Sequence, residues 1–418
     1  MGHSEGHVVG HVAGHLVGKP SRTFEKTHPW LKFDVDLAPA QPELWMMLGE
    51  CQSKCEHLAR VPLRPDVSEQ LNRLYIAKGV LATTAIEGNT MTEEEVEKYL
   101  SGELKLPPSR EYLGQEIDNI ASECNRIVEL VSHGAQPILN RARIEELNRQ
   151  VLMNLSLPEG VVPGAVRRHE VGVALYKGAP AEDCIWLLDK LCEWLNSTRQ
   201  FSDPQNPRAI IYAILKAVLA HLYLAWIHPF GDGNGRTARL VEYQILIASG
   251  IPGPAAHLLS NHYNLTRTEY YRQLHRASTS GGDVLPFINY AVQGFLDGLR
   301  QQIALVRQQV FDVVWNNYVI DIFAETASSP TDVRRMELLQ ELSREPMPVS
   351  IAELQRRSPR VARNYANLTT KTLFRDVRKL VKMRLIVIEK GKIRANKERI
   401  QAFLPPQAIL PLRDRGSS

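Results

Sequence analysis

His228-Pro229-Phe230-Gly231-Asp232-Gly233-Asn234-Gly235-Arg236-Thr237-Ala238-Arg239 joins two helix-patterned stretches, and its reading decides the fold. Residues 208–227 lead into it as an apolar helix, which Pro229 stops because proline has no N–H to donate and disfavours helical geometry at His228. The pattern resumes from Arg236 through Leu240, Val241, Tyr243 and Gln244. The result is a helix–loop–helix whose second helix opens just after a glycine-rich turn. There Gly233, Asn234 and Gly235 bring backbone N–H groups to one point, and the helix dipole adds positive charge, a combination that suits phosphate. Arg236 and Arg239, three apart, are spaced to reach oxygens of a polyphosphate. Asp232 is a hard oxygen ligand of the kind Mg²⁺ accepts when phosphates supply the rest. His228 is a residue type whose ordinary pKa near neutrality suits a general base. The plainer alternative is a glycine-turned loop with its arginines in surface salt bridges.

The run matches the motif H-P-F-x-[D/E]-G-N-G-R-x-x-R at every specified position, and in this the chain resembles the Fic family. The resemblance implies a mainly α fold: a helical core with a short β-hairpin flap. It also implies transfer of AMP from ATP to a Ser, Thr or Tyr hydroxyl of a target protein, with release of pyrophosphate. His228 would then deprotonate the hydroxyl and Asp232 would hold Mg²⁺. Gly233, Asn234, Gly235 and Thr237 would line the nucleotide site, with Arg236 and Arg239 gripping the β and γ ends. Relatives that phosphorylate carry lysine at the position of Gly235, so the resemblance favours nucleotidyl transfer.

Upstream, Pro163-Gly164-Ala165-Val166-Arg167-Arg168-His169-Glu170-Val171-Gly172-Val173-Ala174 reads as a turn and a short β-run. It is similar to the family's flap, which positions the target by strand addition, with Val171, Gly172, Val173 and Ala174 over the nucleotide. Arg167, Val171 and Val173 agree with that pattern, while Arg168-His169-Glu170 is more charged; an ordinary surface hairpin is the alternative. Tyr270 and Tyr271 resemble the tyrosines that flank the adenine pocket in relatives, the alternative being packing against the core.

Thr83-Thr84-Ala85-Ile86-Glu87-Gly88 matches the family's inhibitory motif [S/T]-x-x-x-E-[G/N] at Thr83, Glu87 and Gly88. Residues 68–87 read as a helix, with Gly88 as a left-handed C′ residue and Thr92 with Glu95 as a capping box for the next helix. Glu87 sits unfavourably near the negative end of the dipole, which hints at a cation nearby. The resemblance names Arg239 as that cation, so that Glu87 would block productive ATP binding. An ordinary exposed acid at a helix end is the alternative.

At 418 residues, two or three domains are expected. Five cysteines without a Cys-x-x-Cys pair argue against a disulfide scaffold or zinc ribbon, and no signal peptide is evident. Arg208, Lys216 and His221 interrupt the 208–227 helix, so a buried helix in a cytoplasmic protein is expected rather than a membrane span. Residues 1–20 repeat Gly-His every four positions and read as a disordered tail or a mis-assigned start, with a metal-binding helix as the alternative. The expected divisions are an N-terminal helical region over 25–108, a catalytic core over 109–310 and a separate module over 328–405.

That last module is basic. Residues 331–418 hold 20 Lys and Arg against 9 Asp and Glu, a difference of +11, whereas the remainder holds 30 against 37, a difference of −7. Helical patterns over 335–344, 350–356 and 369–383, followed by Leu385-Ile386-Val387-Ile388, a Lys390-Gly391 turn and Lys392-Ile393-Arg394, read as a winged helix-turn-helix. Leu373, Val377 and Leu380 point inward, while Lys371, Arg375, Arg378 and Lys382 form a face suited to DNA phosphates. A dimerisation or protein-docking platform is the alternative. For the whole chain, a self-inhibited adenylyltransferase leads; the same fold removing AMP, or a DNA-binding regulator sensing nucleotide, are the other readings. A target protein bearing a hydroxyl, self-modification and a homodimer are the partners this implies.

Overall fold

The computed structural model describes residues 22–134, 138–173, 176–197, 201, 209–324 and 329–401. The Gly-His repeat and Ala174 lie outside the described residues. The chain divides into two compact units, Met1–Ile303 and Ala304–Ser418.

The first unit is helical: α1 (Pro42–Arg60), α2 (Pro65–Ala85), α3 (Glu93–Leu100), α4 (Glu111–Ser132), α5 (Arg141–Val151), α6 (Cys184–Leu195), α7 (Ala209–Ile227), α8 (Asn234–Ala248), α9 (Leu258–Leu265), α10 (Arg267–Thr279) and the first half of α11 (Leu285–Ala324). α7 is apolar all round, with a mean hydropathy of 1.9, and 72% of it is buried, as expected of a helix at the centre of a core. By length and composition it also passes as a membrane-spanning helix. α8 returns along α7 and is flanked by α4 and α5. Its pattern begins at Asn234, two residues before the expected Arg236, because Gly233 at φ +74° turns the chain directly into the helix.

Packing onto this centre, α2 lies against α9, α4 and α3, burying Tyr75, Val80, Thr83 and Thr84. The approach is close at Gly79, where an added Cβ would overlap the imidazole of the buried His257. α2 stops at Ala85; Ile86 and Glu87 form a further turn and Gly88 at φ +110° ends it. Thr92 and Glu95 then cap α3 reciprocally, as their spacing predicts. Between α5 and α6, a two-stranded antiparallel hairpin pairs β1 (Gly172–Val173) with β2 (Tyr176–Lys177) in the register Gly172↔Lys177 and Val173↔Tyr176. The stretch before it is irregular, and Val166 alone forms a bridge, to Phe230.

The second unit begins within α11, whose Trp315, Val319 and Phe323 pack with Leu338, Leu339 and Leu342 of α12 (Pro330–Arg344). Its remaining described elements are α13 (Ile351–Arg357), α14 (Pro359–Tyr365), α15 (Thr370–Lys382), β3 (Ile386–Glu389) and β4 (Lys392–Ala395). The sequence reading had three helices here and missed α14, although Ser358 caps it and Pro359 opens it. On α15, Leu373, Val377 and Leu380 are buried, while Lys371, Arg375, Arg378 and Lys382 are exposed.

Gly79→Ala is expected to destabilise the protein by about 1–3 kcal/mol, because the imidazole facing it is buried and cannot yield freely. Chemical denaturation of the full chain measures this, and an unchanged midpoint would mean that α2 shifts without cost.

Candidate active site

His228 follows α7 at φ +50°, an unusual conformation for a residue with a side chain. Its Nδ1 lies 3.4 Å from the Ala225 carbonyl, which can only accept, so the proton resides on Nδ1 and the lone pair on Nε2. Burial pushes the imidazole down to about 4; the carbonyl contact opposes this, the Arg167 charge adds to it, and Glu87 and Asp232 pull the other way. At neutral pH His228 is therefore a neutral base with one available nitrogen.

The loop after it is held from within. Asn234 accepts from Phe230 N at 2.9 Å and donates to Phe230 O at 2.8 Å, so its amide is spent on loop closure and only its backbone N–H faces outward chemistry. Thr237 is buried, with its hydroxyl 3.2 Å from Asn148 Nδ2, and serves the packing of α8 against α5. Asn148 also donates to Asp232 O at 2.9 Å and accepts from Gly164 N at 2.9 Å, tying the loop to the base of the flap. No side chain caps α8, and Thr237 N is the first of its amides bonded back into the helix, to Gly233 O. The amides before it converge as an anion site does.

Arg236 is held from two sides. It donates to Glu116 at 3.0 Å and to Asp232 at 3.3 Å, and Glu116 also accepts from Asn89 at 2.9 Å. Arg239, only 1% exposed, donates through Nη2 to Thr83 O at 2.9 Å and to Glu87 Oε1 at 2.5 Å. Its Nε and Nη1 have no partner. Partial burial opposes ionisation of Glu87, but the Arg239 charge prevails and holds the carboxyl below its ordinary range. Thr83 contributes its carbonyl, while its hydroxyl is turned back to Gly79 O. Gly235 leaves room for this pair: a Cβ there would collide with the Glu87 carboxylate and lie 3.1 Å from Arg239 Nη1.

The tyrosines separate. Tyr270 is buried with its hydroxyl 2.8 Å from His221 Nε2, a core position, whereas Tyr271 is 41% exposed and reaches towards Ile86 O at 3.5 Å. Val171 is half-buried and Gly172 exposed on the hairpin. Asp232 is 40% exposed at its side chain, with Oδ1 taken by Gly233 N and Arg236. Among the described residues no group of three or more metal-binding side chains occurs, so a cation here would draw most of its ligands from phosphate and water. Glu116 and Asn148 carry no signal in the sequence, since their partners here lie 120 and 16 residues away.

Residues 138–246 match the family described as Fic/DOC. The chain carries a Fic domain. It is 31% identical over 220 residues to "Protein adenylyltransferase fic-1" of Caenorhabditis elegans, covering 51% of this chain and 38% of that relative. The chain thus spans about two fifths of that protein's length. A solved structure of C. elegans Fic-1 superposes with a TM-score of 0.52 at 25% identity, covering 64% of this chain and 73% of that one. A Fic family protein from Desulfovibrio desulfuricans shares the fold at 21% identity and a TM-score of 0.52, covering 86% of this chain and 97% of its own.

Replacing Glu87 with Gln keeps its size and removes the charge that answers Arg239. A loss of about 1–3 kcal/mol is expected, below that of a fully buried pair because Glu87 is 32% exposed. Inorganic triphosphate should then raise the melting temperature of Glu87→Gln more than that of the wild type, and equal shifts would mean that the two do not compete.

Proposed function

We propose that the protein is an adenylyltransferase that moves AMP from ATP to a hydroxyl of a target protein and is held back by its own Glu87. The observation that carries this reading is the Arg239 guanidinium, buried and ionised, with two nitrogens unpartnered among the described residues and the third shared between Thr83 O and Glu87. The γ-phosphate of ATP would take the place of the Glu87 carboxylate. The α8 amides and Gly235 would hold the phosphates ahead of it, as a helix N-terminus holds anions. The target hydroxyl oxygen, on a Ser, Thr or Tyr, would attack the α-phosphorus as His228 Nε2 takes its proton. The α–β bridging bond would break, and pyrophosphate would leave with the electron pair. A Mg²⁺ held by Asp232 would supply charge neutralisation on the phosphates. Recognition by strand addition is supported by the exposed Gly172, which has no side chain, on the short strand of the flap.

The expected outcome with ATP labelled at the α-phosphate is strong labelling of protein by Glu87→Gly, weak labelling by the wild type and none by His228→Ala. Label from the γ-phosphate would instead make the enzyme a kinase. No label from Glu87→Gly despite ATP binding would favour AMP removal, with Glu87 orienting water.

A second reading concerns the second unit, which we propose is a winged helix that contacts DNA. The one acidic residue of α15, Asp376, is fully buried between Arg334 and Arg335. Lys371, Arg375, Arg378, Lys379 and Lys382 are exposed, and none has an ion-pair partner among the described residues. This acid-free face supports phosphate binding. In fluorescence anisotropy with duplex DNA, Arg375→Ala and Lys371→Ala should each weaken binding and lower the log-affinity against log-salt slope by about one. A slope near zero in the parent would redirect the reading to protein docking.

A further inference from the structure

After Ile227 the chain turns at φ +50° and then meets Pro229, which has no N–H, so the last carbonyls of α7 find donors from outside the helix. Trp226 O accepts from the Tyr176 hydroxyl at 2.7 Å, and Arg167, itself only 5% exposed, serves the carbonyls that follow. Its Nε donates to His228 O at 2.7 Å, and Nη2 reaches Ile227 O at 3.4 Å. The same guanidinium holds the flap on its other side, with Nη1 donating to His169 O at 2.7 Å and Nη2 to Ala179 O. Its backbone N–H donates to Pro229 O at 2.9 Å.

We propose that Arg167 is a positioning residue that fastens the flap to the His228 loop, so that the base and the surface receiving the target hydroxyl keep one geometry. The inference rests on the adenylyl-transfer reading and deepens it. Three features support it independently of charge. Ala179 N donates to Ile227 O at 3.3 Å, a direct seam between flap and helix end. Val166 and Phe230 form a β-bridge beside it. At Gly178 an added Cβ would lie 3.0 Å from both Arg167 Nη2 and His228 Cβ, so the chain leaving β2 packs tightly against both the arginine and the base. A positive charge at the carbonyl end of α7 also opposes the negative end of its dipole. Lysine would keep that charge but not the planar fork that serves both sides at once. Arg167→Lys therefore separates charge from geometry.

The test uses full-length protein carrying Glu87→Gly, with α-labelled ATP and a hydroxyl-bearing acceptor. Arg167→Lys should lower kcat by about 100-fold, as a misplacement of about 1 Å does, while the KM for ATP changes less than about threefold. In hydrogen exchange, the amides of Ala179 and Arg167 should lose protection together while α7 and α8 keep theirs. Unchanged kcat with the Ala179 amide still protected would overturn the proposal, as would losses of kcat and ATP affinity in equal measure. If Arg167→Lys does not fold, Gly178→Ala takes its place: it crowds the same seam, and a kcat within twofold of the parent would count against the clamp. If Glu87→Gly itself transfers no AMP, the functional reading fails, and exchange at Ala179 in Arg167→Lys still decides whether the arginine joins flap and loop.

Discussion

A guanidinium sealed from water at Arg239 is the constraint around which the site is arranged. An unpaired buried charge costs several kcal/mol, so the fold must answer this one, yet it does so only in part. Nη2 has Thr83 O and Glu87, while Nε and Nη1 have nothing. That incompleteness gives α2 its importance. The helix buries Thr83 and Thr84 against the core to bring one carbonyl and one carboxylate to the arginine. It leaves the carboxylate on a turn ended by Gly88. The element that carries Glu87 is thus part of the core packing.

The charge is not answered from behind either. Glu242 lies one turn further along α8, but complete burial lifts its carboxyl to about 8, so it is largely protonated at neutral pH, donating or accepting within a cluster with Tyr263. Burial and the Arg239 charge push His221 down to about 3, leaving its ring neutral beside Tyr270. This cluster of neutral polar groups backs the arginine without compensating it. The demand for an anion is therefore directed outward, to the space where Glu87 now sits. The same cluster explains why Tyr270 reads as part of the core: its hydroxyl belongs to His221.

The local features were legible. Pro229 ending α7, the amide cradle before α8, the Thr92–Glu95 capping box and the inward face of α15 each depend on residues within a few positions of one another. What escaped was set by contacts between distant parts of the chain. Arg236 reads as a phosphate ligand beside Arg239, and its ion pair with Glu116, which arrives from α4, has no local signal in the sequence. Gly235 reads as space for phosphate, yet in this structure that space lies against the Glu87 carboxylate. Arg167 matched the family's flap, but its role emerges once Ile227, His228, His169 and Ala179 are seen converging on it. The short helix α14 carried its own signal, a serine cap before proline, and was missed because one turn of apolar periodicity is too little to register.

One rule about cations connects these observations across both units. Arg143 is engaged through Nε, with Gln244 at 2.7 Å, and Nη2, with Glu123 at 2.7 Å, and it holds α5 in place. Arg334 and Arg335 are likewise spent on Asp376, which anchors α15 to α12 and removes the only acid from that helix's outer face. Among the described residues Arg236 keeps one buried nitrogen without a partner, Nε, and Arg239 keeps two, Nε and Nη1. Since burying a donor without an acceptor is costly, a fold retains such groups where something else completes them. The unmet demand for an acceptor, absent from the buried nitrogens of Arg143 and limited to one on Arg236, is greatest at Arg239, and that follows without appeal to the motif that contains it.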